Sequence, residues 1–441
     1  MDDRGPDLLA RAIVFCQEGD LAAGRELLDR VLAHDPTNLV ANHQMGVVAF
    51  ATGDAATAEQ FLRRAALIDP ADADVQSNLG VVTKAQGDLA SARAAFETAI
   101  HLRPRFAEAN NNLGSVLEAL GEELAAIRCY RRALEIDPGY VDARENLNLA
   151  CAKTAPPWHF PMVADEERNA AYDAALRRAA AGKRVLDIGS GSGLLAMMAA
   201  RAGAAEITTC EVVAPIAQVA AGIIAANGYG DRITLHAKHS ERLVVGKDMA
   251  ERANLLVTET FASGVLSEGV LPTIEHARRH LLTEDAQVIP RRAAARGYLV
   301  GGGAVEAQLY VSRSTGFDLS GFDVLAPGKV GLHLDRLPHD VLSDDFELFD
   351  FDLTQYYFEP ERRRLSVTAT RPGRCIGIAQ WLWLELDDEV TYENRPRPGA
   401  GANGWMHVLY RFRDSLELSA GDRVDLLASH SRTALTVELA N

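Results

Sequence analysis

The sequence predicts a multidomain chain: an all-α array of helical hairpins, then a Rossmann-like α/β domain, then an antiparallel β-barrel domain. Three observations predict it. Pro36, Pro70, Pro104 and Pro138 recur every 34 residues, and Gly46, Gly80 and Gly114 keep that interval. An apolar run passing into a glycine loop, KRVLDIGSGSGLL, begins at Lys183. After Pro290, alternating runs such as RLSVTAT and WMHVLYRF replace the helical pattern. The shifts place the array at 1–153, the α/β domain at 154–291 and the barrel at 292–441, with Pro- and aromatic-rich TAPPWHFP at the first junction.

Within the array each unit reads as two amphipathic helices joined at a Gly-Asp or Gly-Glu turn, and the turn glycines are Gly19, Gly53, Gly87 and Gly121. Glycine suits the left-handed residue that ends a helix, and the proline after the second helix blocks its continuation. A 34-residue period with small residues in fixed phase is the mark of tetratricopeptide repeats. Four repeats and a capping helix over YVDARENLNLACAK are expected. Gln44, Asn78, Asn112 and Asn146 form a second 34-residue ladder. On a concave face these amides would bind the backbone of an extended peptide; the other reading is that Asn merely belongs to the repeat consensus.

Composition narrows the class. A net charge of −16 over 441 residues argues against direct nucleic-acid or anionic-membrane binding and favours a cationic partner. The five cysteines are scattered and never form a CxxC pair, so a reducing compartment and no structural metal are expected. The N-terminus lacks a basic-then-apolar leader, and no apolar run reaches the roughly 18 residues of a membrane span. Cytoplasmic residence is the expectation.

In the α/β domain the strand RVLDI delivers Asp187 and then Gly189, Gly191 and Gly193 to its carboxyl end, where open α/β sheets bind ligands. A second strand, EITTCEV, ends near Glu211, where an acid holds a ribose diol. A dinucleotide fingerprint needs its third glycine three residues after the second, and Leu194 stands there. The DxGxGxG arrangement instead resembles class I S-adenosylmethionine-dependent methyltransferases. Further on, NLLVTETFASGVLSEG places Glu259 and Glu268 around one loop after an apolar strand. Two carboxylates turned to one point need a permanent cation between them, and an arginine guanidinium fits that need.

VLDIGSGSGLL, CEV, KHSERL, VTETFASGVLSEG and EHARRHL, in this order, resemble the protein arginine methyltransferases, and the likeness is strongest to the branch with N-terminal tetratricopeptide repeats. WHFPMVADEERNAAY at 158–172 also resembles that branch. The resemblance implies that Arg168 pairs with the cofactor's carboxylate and that Glu211 holds its ribose. It further implies Ser240 and Glu241 against the adenine, Met162 near the reacting methyl, and Glu259 with Glu268 as the pair that orients the substrate. The family's Thr/Ser-His-Trp loop corresponds here to Asn403-Gly404-Trp405, so its histidine is absent while Trp405 remains to stack on the guanidinium. A protein or peptide containing arginine is the implied partner, and a homodimer the implied assembly. Two other readings stay open: methylation of another protein nitrogen, such as lysine or the α-amine of a ribosomal protein, and a repeat adaptor whose methyltransferase module is inactive. The substrate, and the choice between monomethyl, symmetric and asymmetric dimethyl products, are not set by these residues.

Overall fold

Nine helices among the described residues build the first of two units in a computed structural model, Met1–Pro156 and Pro157–Asn441. The structure describes residues 5–157, 159–311, 313–397 and 405–440. The helices pair as α1 (Gly5–Glu18) with α2 (Leu21–His34), α3 (Leu39–Ala51) with α4 (Ala55–Ile68), α5 (Ala73–Ala85) with α6 (Leu89–Leu102), and α7 (Ala107–Ala119) with α8 (Glu123–Ile136); α9 (Val141–Thr154) follows. Asp20, Asn38, Asp54, Asp72 and Asp88 cap helix starts with their side chains, supplying acceptors to otherwise unpaired amides. The turn glycines Gly19, Gly53, Gly87 and Gly121 all take positive φ, between 75° and 86°. The other glycine series works by close approach: a Cβ on Gly114 would lie 2.5 Å from the Tyr130 ring and one on Gly80 2.8 Å from the Phe96 ring. The bare backbone of one helix is therefore the seat for the aromatic of the next.

The second unit begins with α10 (His159–Val163) and α11 (Glu166–Ala179). A five-stranded parallel sheet follows: β1 (Arg184–Ile188), β2 (Glu206–Cys210), β3 (Ile233–His236), β4 (Ala253–Thr258) and β5 (Leu282–Ile289), in the order β3-β2-β1-β4-β5. Helices α12 (Leu194–Arg201), α13 (Ala214–Ala226) and α14 (Val270–His280) connect the strands. The order reverses direction between β1 and β4, which opens a crevice at the carboxyl ends of those two strands. The glycine loop leaves β1 there, and Glu259 follows β4 directly.

Beyond β5 the chain is antiparallel. β6 (Arg292–Gly301) pairs with Gly373–Glu385, which pairs with His407–Leu418, and that strand carries Lys329–Leu332 at its edge. Phe346–Asp352 flanks the other side of β6. Glu361–Thr368, Arg423–His430 and Leu435–Leu439 form a separate three-stranded sheet. Arg313–Ser314 and Phe317–Asp318 pair as a small ribbon, so where the sequence predicts one barrel the hydrogen bonding among the described residues is divided between a seven-stranded sheet, a three-stranded sheet and this ribbon. The core closes by side-chain packing rather than a continuous ladder: Val424, Leu426, Leu435 and Val437 share one cluster with Phe349 and Ile378.

Candidate active site

The three loop glycines take φ of 85°, 51° and 82° at Gly189, Gly191 and Gly193, a region that side chains with a Cβ rarely adopt. At Gly193 a Cβ would meet Ile224 at 2.8 Å, so this glycine also lets α12 start against α13. Behind the loop, Asp187 is fully buried, with Oδ2 accepting from the Thr209 hydroxyl at 2.8 Å. Its Oδ1 has no partner, and burial raises the carboxyl to about 7. Glu211 accepts from the Gly191 N–H at 3.1 Å and the Val213 N–H at 2.9 Å, tying the end of β2 to the glycine loop. The Ser190 hydroxyl beside it is also buried and unpartnered. A loop with glycine at every second position, an acid on its rim and two unanswered buried polar groups fit a polar ligand of the adenosyl type.

Next to this crevice lies the turn that carries the two glutamates. Phe261, Val265 and Leu266 are buried and anchor it, and Val265 holds φ at 63°, a strained angle for a β-branched residue. The Val265 N–H donates to the Ala262 carbonyl at 2.8 Å and closes the turn. The Glu259 side chain is 7% exposed and its Oε2 accepts from Arg168 Nη1 at 2.8 Å. Its Oε1 is buried with no partner. Burial raises the Glu259 carboxyl to about 8 against the pull of Arg168, and the charges of Glu268 and Asp165 add to the rise. Glu268 stands at the open lip; the protein around its carboxyl, and then the charge of Glu211, raise it as well. Glu211, Glu268 and Glu259 therefore stand in one field, which runs from the rim of the glycine loop to the turn after β4.

Arg168, placed by the sequence beside the cofactor, lies on α11 and is buried. Besides Glu259 it donates from Nε and Nη2 to Asn169 Oδ1, at 3.2 and 2.9 Å. A guanidinium has five N–H donors, so two remain for a further carboxylate. Met162, on α10, packs half-buried against the same core. Ser240 is buried in a single helical turn, Ser240–Arg242, while Glu241 is exposed and paired at 3.8 Å with His239. Trp405 requires a correction. It is 5% exposed, packed in the main core, and its indole N–H donates to Asp165 at 3.2 Å. A ring so enclosed has no open face for a substrate guanidinium, so stacking is not its role here. Asn403 and Gly404 lie outside the described residues.

The amide ladder of the first unit is partly spent. Asn78 bonds to the His43 ring at 2.7 Å, and Asn146 donates to Asn111 at 2.9 Å, each reaching the preceding repeat. Gln44 and Asn112 are half-buried and make no hydrogen bond among the described residues. Sequence reasoning missed Asp165, Asn169 and Tyr392, which surround Arg168. Asp165 alone had a local signal, as an acidic cap three residues before Arg168.

Comparison with known proteins fits this geometry. Residues 16–79 and 79–141 match tetratricopeptide repeat families, and 171–276 match the ribosomal protein L11 methyltransferase (PrmA) family. An arginine N(omega)-methyltransferase of Streptomyces achromogenes is 38% identical over 289 residues, covering 65% of this chain and 80% of that protein. The chain belongs to the protein arginine methyltransferase family, with N-terminal tetratricopeptide repeats. Protein arginine N-methyltransferase 7 of Drosophila grimshawi is 35% identical over 62% of this chain, which spans 45% of that longer protein. Among solved structures, the Trypanosoma brucei PRMT1 enzyme–prozyme complex with AdoHcy matches 66% of this chain and 95% of its own, with a TM-score of 0.56. Its 20% identity speaks for the fold alone. The match to the L11 methyltransferase family stops at the cofactor-binding core, whereas the Streptomyces relative extends well beyond it. S-adenosylmethionine is accordingly the cofactor of this methyltransferase, and the glycine loop, Asp187 and Glu211 are the residues that would hold it.

Proposed function

We propose that the chain moves the S-adenosylmethionine methyl group to an arginine guanidinium of a protein or peptide recruited by its repeats. One observation carries the acceptor assignment. The buried Oε1 of Glu259 has no partner, and its other oxygen is held by Arg168. A guanidinium N–H answers that oxygen, and Glu268 supplies the second carboxylate, so the planar group is fixed with one nitrogen towards the methyl. When bound, the cofactor would supply an electrophilic methyl group; Glu259 and Glu268 would hold the guanidinium with one nitrogen turned to it, and the proton that nitrogen loses would pass to a carboxylate of the pair or to solvent. The chain's own contribution is orientation and charge placement.

A second acceptor, free arginine, is favoured by the Streptomyces relative, which is named for arginine itself. The repeats distinguish the two. Removing residues 1–156 should leave kcat for a short arginine peptide unchanged and raise KM for a long protein substrate about tenfold or more, because recruitment is uniform binding. An unchanged KM in a truncation with intact circular dichroism would remove the repeats from recruitment. Preference for free arginine over every peptide would replace the protein-substrate reading.

The expected homodimer has one structural support. Phe317, Phe322, Val324 and Leu325 project from one short segment at 64–85% exposure, a patch that a second copy of the chain would cover. Sedimentation velocity at micromolar concentration should give a dimer, and Phe322→Asp a monomer; a monomeric parent contradicts the assignment.

A further inference from the structure

We propose that Tyr392, far from the acceptor loop in sequence, is a positioning residue for methyl transfer: its hydroxyl clamps Asp165 and thereby holds Arg168 on Glu259. The proposal rests on Glu259 being the acid that receives the substrate.

The chain of contacts is continuous. Tyr392 lies on the short strand Thr391–Glu393 of the antiparallel domain, is 4% exposed, and donates from its hydroxyl to Asp165 Oδ2 at 2.6 Å. Trp405, from another part of that domain, donates to the same oxygen at 3.2 Å. The other oxygen of Asp165 accepts the Arg168 N–H at 3.0 Å and so caps α11. One carboxylate thus joins the first turn of α11 to two side chains of the antiparallel domain. A short O–H···O⁻ bond in a dry setting is directional and strong. Arg168 is gripped again by Asn169, whose Nδ2 donates to the Val163 carbonyl at 2.8 Å. Its remaining firm contact is the Glu259 carboxylate.

This geometry matters because Glu259 is poorly placed to stay charged. The groups that face it are Arg168 and Tyr172 from α11, Asp165 from the cap, Glu268 from its own turn, and Tyr392 from the antiparallel domain. Of these only Arg168 carries positive charge. If Arg168 loosens, burial drives Glu259 towards its protonated form, which cannot accept two guanidinium hydrogen bonds. The loop that carries a histidine in the family has none here, and among the described residues Tyr392 and Trp405 are the donors this domain offers to Asp165.

Full-length Tyr392→Phe removes only the hydroxyl. Its kcat/KM for an arginine peptide should fall about tenfold at pH 7, and the acidic limb of its pH profile should move alkaline by about one unit, so that the deficit narrows above pH 9. A purely structural role would lower the rate equally at every pH, and that result, or no loss at all, overturns the proposal. In an Asp165→Asn background the added Tyr392→Phe change should cost less than about twofold, since the hydroxyl acts through Asp165; an undiminished tenfold cost overturns it too. A parent that methylates no arginine at any pH would contradict the function reading instead. The clamp is still read in that case by hydrogen exchange of the Arg168 amide: faster in Tyr392→Phe if the clamp exists, equal if it does not.

Discussion

Glu259→Gln is expected to lower kcat for arginine methylation by about two orders of magnitude or more, the usual consequence of removing a preorganised electrostatic contact. The substitution keeps shape and one acceptor oxygen but removes the charge. Arg168 then lacks its counter-ion, and the substrate guanidinium meets an amide where a carboxylate should concentrate electron density on the attacking nitrogen. The glycine loop and Glu211, which would hold the adenosyl part of the cofactor, make no hydrogen bond to Glu259, and Arg168 keeps its bonds to Asp165 and Asn169, so affinity for S-adenosylhomocysteine should stay within about threefold. Calorimetry with S-adenosylhomocysteine and a single-turnover assay read the two effects independently. Near-parental turnover would remove Glu259 from the acceptor site.

Glu211→Ala should show the reverse pattern, with affinity for S-adenosylhomocysteine reduced about a hundredfold, or roughly 2.7 kcal/mol. Two losses combine. The carboxylate that would hold a ribose diol is gone, and the Gly191 and Val213 N–H groups lose the acceptor that shapes the loop. Glu211→Gln should recover part of the affinity, because one amide oxygen can still accept. If Glu211→Ala binds S-adenosylhomocysteine as tightly as the parent, the cofactor lies elsewhere.

The parts of this molecule that the sequence made legible are those written locally. The 34-residue period needs only the chain itself, because each glycine of the Gly46 series meets a side chain 16 residues on, such as Phe96 opposite Gly80. The cofactor loop is a run of five residues with an acid at a fixed distance. Glu259 and Glu268 were legible because one turn separates them. The clamp on Asp165 was not, since Tyr392 and Trp405 lie 227 and 240 residues away and nothing in VTYENRP marks a tyrosine that reaches α11. Trp405 was misread for the same reason. Its neighbours in sequence suggested an open ring face, while its neighbours in space bury it and use its indole N–H. Part of the amide ladder serves the array itself: at Asn78 and Asn146 the partner is one repeat back, at a spacing of 35 residues, and those amides hold neighbouring repeats together.

The central claim, that a guanidinium sits between Glu259 and Glu268 and receives the methyl group, is tested most directly by isotope-labelled S-adenosylmethionine and an arginine-rich peptide library with the full-length protein. Fragmentation mass spectrometry then locates the label. The account predicts label on guanidinium nitrogens of arginine, and its loss in Glu259→Gln, a variant that keeps its affinity for S-adenosylhomocysteine. Label on lysine or on the terminal amine, or a protein that binds S-adenosylhomocysteine yet labels no arginine, would contradict it.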